Sequence, residues 1–358
     1  MRGICWIWNG RSRLRHSLVI SPPEPNISDK PKSARLPGLE ALRCVAAFCV
    51  LALHTRAVFG GEPVFGRGYL GVDFFLMLSG FLMARVQEPR LAGGMKPLPF
   101  MVKRYRRLWP MMAAGGIIGI PMQMFRATGV GQFIVTFLLN MALLPVFGQP
   151  FIFPLNIPAW TIFMEVAANA AHVFVLHRLR KWGLLAAIAV LIAVMCWAGM
   201  HYHSFDVGAK PSTLLAGVAR IFLAYVIGMA LSRWWGDTPT IGRWDLRIWP
   251  VVALVLMPAV LILGWWFRVK GWWFDLAFVL FVCPLMIAGG LRLRRFHRSA
   301  GLIGQLSFPL FALQMPVLQG LKQLDFTYWT GFFAASLAGV IGAVMAHYLT
   351  RWRAARSN

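Results

Sequence analysis

The chain has 358 residues, 58% of them hydrophobic and 13% charged, and its mean hydropathy is +0.63; one soluble core cannot hide that much apolar surface, so a water-soluble globular protein is excluded. The net charge of +24 does not point to nucleic acid, because the basic residues fall in short clusters between long apolar runs, as in loops that obey the positive-inside rule. Cys5, Cys44, Cys49, Cys196 and Cys283 are scattered, with neither a CxxC spacing nor a disulfide framework, and read as packing residues.

Residues 1–36 are rich in Pro, Ser, Lys and Arg, and the run Gly3 to Trp8 is too short for a signal-peptide core; this segment predicts a mobile basic tail on the cytosolic side. Apolar stretches near the ~20 residues needed to cross a bilayer then recur to the end. They lie at about 39–58, 69–88, 107–125, 159–177, 183–200, 214–233, 248–267, 274–291, 301–321 and 330–350. The expected domains are the tail 1–36, a membrane domain 37–350 and a short basic tail 351–358, with no soluble domain appended.

Segment 131–147 is apolar enough to span but contains Asn140 and Pro145. Loop charge decides its path. A full crossing would put His177, Arg178, Arg180 and Lys181 outside, together with Arg292, Arg294, Arg295 and Arg298. With a re-entrant or interfacial path, the basic clusters lie in the cytosol, and Arg268 and Lys270 are the conspicuous exceptions. The expected fold class is therefore all-α: a polytopic bundle of about ten spans, one re-entrant or interfacial segment, and both termini cytosolic.

Ionisable side chains in the hydrocarbon region cost at least ~2.5 kcal/mol on insertion scales, so each needs a partner or a purpose. His54 lies eleven residues beyond Arg43 on the first span, an axial rise of ~16 Å. Counting from span ends places Asp73, Glu165, Arg220 and Gln314 near the level of His54, five polar groups expected at one depth in the outer half. On the fourth span Thr161, Glu165, Asn169 and His172 follow helical spacing and predict a polar stripe facing the bundle interior. The bland reading of these groups is a network that only locks helices together. At the opposite end Arg104, Arg106 and Arg107 precede Leu108, Trp109 and Pro110. Guanidinium groups at one mouth can seat phosphate, although loop anchoring explains them too.

The segments LPGLEALRCVAAFCVLALH, GYLGVDFFLMLSGF, KRYRRLWP, WTIFMEVAAN and LIGQLSFPLFALQMPV together resemble, in order, the motifs of the acyltransferase family 3 integral-membrane enzymes. The resemblance spans about residues 36–318. It implies a ten-helix bacterial inner-membrane domain that uses acyl-coenzyme A, most commonly acetyl-coenzyme A, to O-acylate sugars of surface polysaccharides, lipopolysaccharide or related glycoconjugates. It marks Arg43 and His54 as the essential pair, Arg104 and Arg107 as the conserved basic motif, and Glu165 as the acid after the Trp-Thr pair. Two departures stand out: Val166 to Asn169 replace an aromatic continuation, and Gln314 stands where the late motif has histidine.

On this reading His54 is the general base for the acceptor hydroxyl, with Asp73 or Glu165 orienting its ring. Arg43, Arg104 and Arg107 hold the coenzyme phosphates, while Asn169, Arg220 and Gln314 contact the acceptor. Ser79 and Cys49 are candidate acyl carriers whose neighbourhoods read as packing. No metal and no nucleic acid is implied, and the oligomeric state is open. The competing class is a transporter or flippase that exploits the same intramembrane polar groups, although no internal repeat is visible. A catalytically silent membrane partner is encouraged only by Gln314.

Overall fold

The computed structural model describes residues 36–124, 129–235, 249–292, 297–322, 324 and 326–356. The tail expected over 1–36 lies outside them apart from Leu36, as do Cys5, Arg294 and Arg295. Among the described residues eleven helices of 12 residues or more follow one another: α1 Pro37–Phe59, α2 Leu70–Ala92, α3 Pro97–Ile118, α4 Val130–Met141, α5 Ala159–Phe174 and α6 Lys181–Tyr202, then α7 Leu214–Trp235, α8 Trp249–Trp266, α9 Trp272–Arg292, α10 His297–Leu321 and α11 Tyr328–Arg356. Pro37 and Pro97 open α1 and α3, where a missing N–H costs nothing. Helix α11 runs on to Arg356, so much of the expected C-terminal tail continues the last helix.

Each of the ten predicted spans is largely helical in its described residues, and among the described residues seven helical stretches are long and apolar enough to cross a membrane by length and composition. The predicted spans at 107–125, 159–177 and 301–321 fall outside that set. Helix α5 has only 16 residues, and α3 carries Lys103, Arg104, Arg106 and Arg107. Helices packed among other helices need less apolar surface than helices facing lipid. The ambiguous segment forms only the 12-residue α4, ~18 Å of helix and too short to span.

Close contacts fix the helix directions. Gly304 lies against Glu40, and Leu310 and Leu318 cluster with Ala47 and Leu51, so α10 runs parallel to α1. Gly68 lies against Cys49 and Leu53 and Gly71 against Ala46 and Val50, while Asp275 accepts from Tyr69 and Gly290 lies against Leu39 and Leu42, so α2 and α9 run antiparallel to it. Helices α2, α5 and α7 run together, through Ser79 with Glu165, Glu88 with His172, and Asp73 with Arg220. These are the directions of a chain crossing in alternation with α4 left out, and they gather the helix ends bearing Arg104, Arg178 and Arg233 into one basic end.

Of those seven stretches, α2 and α7 are the most enclosed, whereas α6, α8 and α11 present most of their surface outward. The central pair packs backbone on backbone: a Cβ on Gly80 would meet the Tyr225 carbonyl, and one on Gly228 that of Met77. Small residues permit this approach, as is common where membrane helices associate by packing.

Candidate functional site

Asp73 on α2 and Arg220 on α7 face each other at the α2/α7 contact. Arg220 Nε donates to Asp73 Oδ1 at 2.9 Å and Nη2 to Oδ2 at 2.6 Å. Nη2 also donates to the Tyr69 carbonyl at 2.8 Å, and the guanidinium lies over the Tyr69 ring. Both side chains are buried. This bidentate pair joins two helices and leaves little donor capacity for a substrate. Arg220, expected to contact the acceptor, is placed here as a bolt between α2 and α7.

Nearer the basic end a second group forms around Glu165. Arg104 Nη2 donates to Glu165 Oε1 at 2.6 Å, and Ser79 Oγ donates to the same oxygen at 3.2 Å. Asn169 donates from Nδ2 to the Glu165 carbonyl at 2.6 Å and accepts from Tyr225 at 3.0 Å, fully buried. The predicted stripe Thr161, Glu165, Asn169, His172 does face the interior. Asn169, expected to contact the acceptor, has its amide engaged by the Glu165 carbonyl and the Tyr225 hydroxyl. Arg43 on α1 is within electrostatic reach of Glu165, Arg104 and Arg107, which gathers the three expected phosphate-binding arginines at one end.

The expected convergence at a single depth does not occur. Gly71 against Ala46 and Val50 sets the α1/α2 register; Asp73 is then level with about Ala46, ~12 Å inward of His54, and Ser79 with Glu165 lies ~20 Å inward. Both carboxylates are also engaged by arginines, so neither Asp73 nor Glu165 orients the His54 ring in this arrangement. Polar groups instead form a ladder from the basic end outward: Arg104 with Glu165, then Asp73 with Arg220, then Gln314, then His54.

The outer rungs differ in kind. His54 Nδ1 is buried with no hydrogen-bond partner among the described residues, and so is Gln314 Oε1. Ala47 and Leu51 on α1 pack with Leu310 and Leu318 on α10. Gln314 lies one turn from each of those leucines, and His54 three residues beyond Leu51. Helical spacing therefore puts Arg43, Ala47, Leu51 and His54 in one stripe that faces Leu310, Gln314 and Leu318.

Three features escaped the sequence reading. Arg67, Tyr69 and the backbone of Phe205 hold the buried Asp275 at the far end, at 2.7, 2.7 and 3.1 Å. At the basic end Arg233 forks onto Glu88, with His172 Nε2 3.2 Å from the same carboxylate. With only 12 acidic residues in the chain, each carboxylate beside an apolar run was a signal that a cation must meet it. The third is Asn156, 2% exposed, whose Nδ2 donates to the Ala312 carbonyl at 2.9 Å. Pro316 lacks the N–H that would otherwise bond this carbonyl within α10.

A family model described as an acyltransferase domain matches residues 36–348. The chain is 29% identical over 178 residues to protein 2 in the picA locus of Rhizobium radiobacter, an alignment covering 44% of this chain and 87% of that protein. It is 25% identical over 178 residues to the exopolysaccharide production protein ExoZ of Rhizobium meliloti (strain 1021), covering 48% of this chain and about half (52%) of that relative. No solved structure matches the chain significantly.

Proposed function

The chain belongs to this acyltransferase family, and from that premise we propose that it transfers an acetyl group from acetyl-coenzyme A to a sugar hydroxyl of a surface polysaccharide or related glycoconjugate. Its basic end faces the cytosol of a bacterium, and it resides in the cytoplasmic membrane. The name of the relative concerned with exopolysaccharide production supports the choice of acceptor. The distribution of basic clusters supports the sidedness.

The observation that carries the reading is the α1 stripe. It links an arginine among further arginines at one end to an imidazole ~16 Å away, with Ala47 and Leu51 between them. Guanidinium groups bind phosphate through charge-assisted hydrogen bonds, so the charged part of the donor stays at the basic end and the thioester reaches inward. Glu165 acts as a positioning residue that turns Arg104 toward this mouth.

At the far end the His54 imidazole takes the proton of the acceptor hydroxyl as its oxygen bonds to the thioester carbonyl carbon. The carbon–sulfur bond then breaks, and the imidazolium returns the proton to the departing thiolate. No acyl-enzyme is required.

The test supplies membranes containing the chain with acetyl-labelled acetyl-coenzyme A and measures base-labile label in extracted surface glycan. Label in glycan that depends on the chain is expected. Equal ester content with and without the chain, and no transfer to any glycan fraction, would overturn the proposal.

A further inference from the structure

The α1/α10 seam joins the two ends of this reaction, and it is closed: Ala47, Leu51 and Leu318 are fully buried, and Leu310 nearly so. In its midst lies Gln314, 0% exposed. Its Nε2 is turned to the Phe311 carbonyl at 3.4 Å, while Oε1 has no donor among the described residues. A buried carboxamide oxygen without a donor is unfavourable, and a ligand N–H or O–H placed there would satisfy it. With Gly304 against Glu40, Gln314 is level with about Val50, one turn or ~6 Å inward of His54.

Resting on the acyl-coenzyme A reading above, we infer that the donor's arm threads the α1/α10 seam and that Gln314 Oε1 accepts the N–H of the arm's amide nearest the thioester. That N–H stands three bonds from the sulfur, ~4 Å by ordinary bond lengths. A thioester at His54 therefore brings the amide into the turn that Gln314 occupies. An uncharged acceptor suits this position, because a carboxylate buried there would carry an uncompensated charge. Helix α10 is built to yield: Pro309 and Pro316 each delete one of its internal hydrogen bonds.

The experiment compares acetyl-coenzyme A with an analogue in which that amide N–H is replaced by an ester oxygen, for the wild-type protein and for Gln314→Met. Wild type should lose about tenfold in kcat/KM on the ester analogue. Gln314→Met should lose about tenfold on acetyl-coenzyme A and nothing further on the analogue. Equal use of both donors by wild type overturns the inference without needing the variant, and so does undiminished discrimination in Gln314→Met. If wild type transfers from neither donor, the donor reading itself fails and takes the inference with it.

Discussion

Two polar regions of the bundle differ in how their hydrogen-bonding groups are used. On the α2/α5/α7 side, Asp73, Arg220, Asn169, Glu88 and Arg233 direct theirs to one another or to backbone. Along the α1/α10 seam, His54 Nδ1 and Gln314 Oε1 are buried with no partner among the described residues. Unpartnered atoms occur on the first side too, on His172 and Arg104, but those side chains face Glu88 and Glu165, whereas His54 and Gln314 meet no side-chain partner among the described residues. Burial is equally unfavourable in both places, so the difference separates groups that assemble the bundle from groups suited to meet a ligand. A wealth of intramembrane charge is therefore a poor guide to the reactive position.

The largest expected effect breaks the satisfied side. Asp73→Ala leaves the Arg220 guanidinium buried without its counter-charge, a loss of about 3–5 kcal/mol. The variant should be depleted from membranes and melt early in detergent, whereas replacing both residues by leucine should restore much of the yield. A normal melt for Asp73→Ala would remove the bolt from the α2/α7 contact. On the seam the expectation reverses. His54→Ala should cut acetyl transfer by about a hundred- to ten-thousand-fold with an unchanged melting temperature, and retained activity would exclude the base. Arg43→Gln should be milder still, raising KM for acetyl-coenzyme A about tenfold with little change in kcat. An effect confined to kcat would move Arg43 from donor binding to the chemical step.

The apolar segments were legible because hydrocarbon demands a fixed length of apolar helix, and the shortness of α4 was foreshadowed by Asn140, Pro145 and the loop charges. The α5 stripe was legible from spacing alone, since helical geometry brings Thr161, Glu165, Asn169 and His172 to one face. Depth was not. Counting from span ends assumes that every helix begins at one plane, but Gly68 packs on Cys49 and Gly71 on Ala46. That register sinks the start of α2 and carries Asp73 away from His54. Partner choice was equally hidden, since nothing local to Glu165 says that Arg104 will reach it before any other cation.

The smallest effect tests how the closed seam is held. Pro316 strips the Ala312 carbonyl of its helical donor, and the Asn156 amide supplies the substitute from the segment before α5. Asn156→Ala should therefore lower stability by about 1–2 kcal/mol, the cost of a buried carbonyl left unmet. In a Pro316→Ala background the backbone N–H returns to that carbonyl, so the same substitution should cost markedly less. The double-mutant cycle, measured by thermal unfolding in detergent, isolates this coupling from the volume changes of either single variant. Additive losses would mean that Asn156 supports α10 by packing alone, and the contrast between a bolted core and a seam held by one replaceable amide would lose its second half.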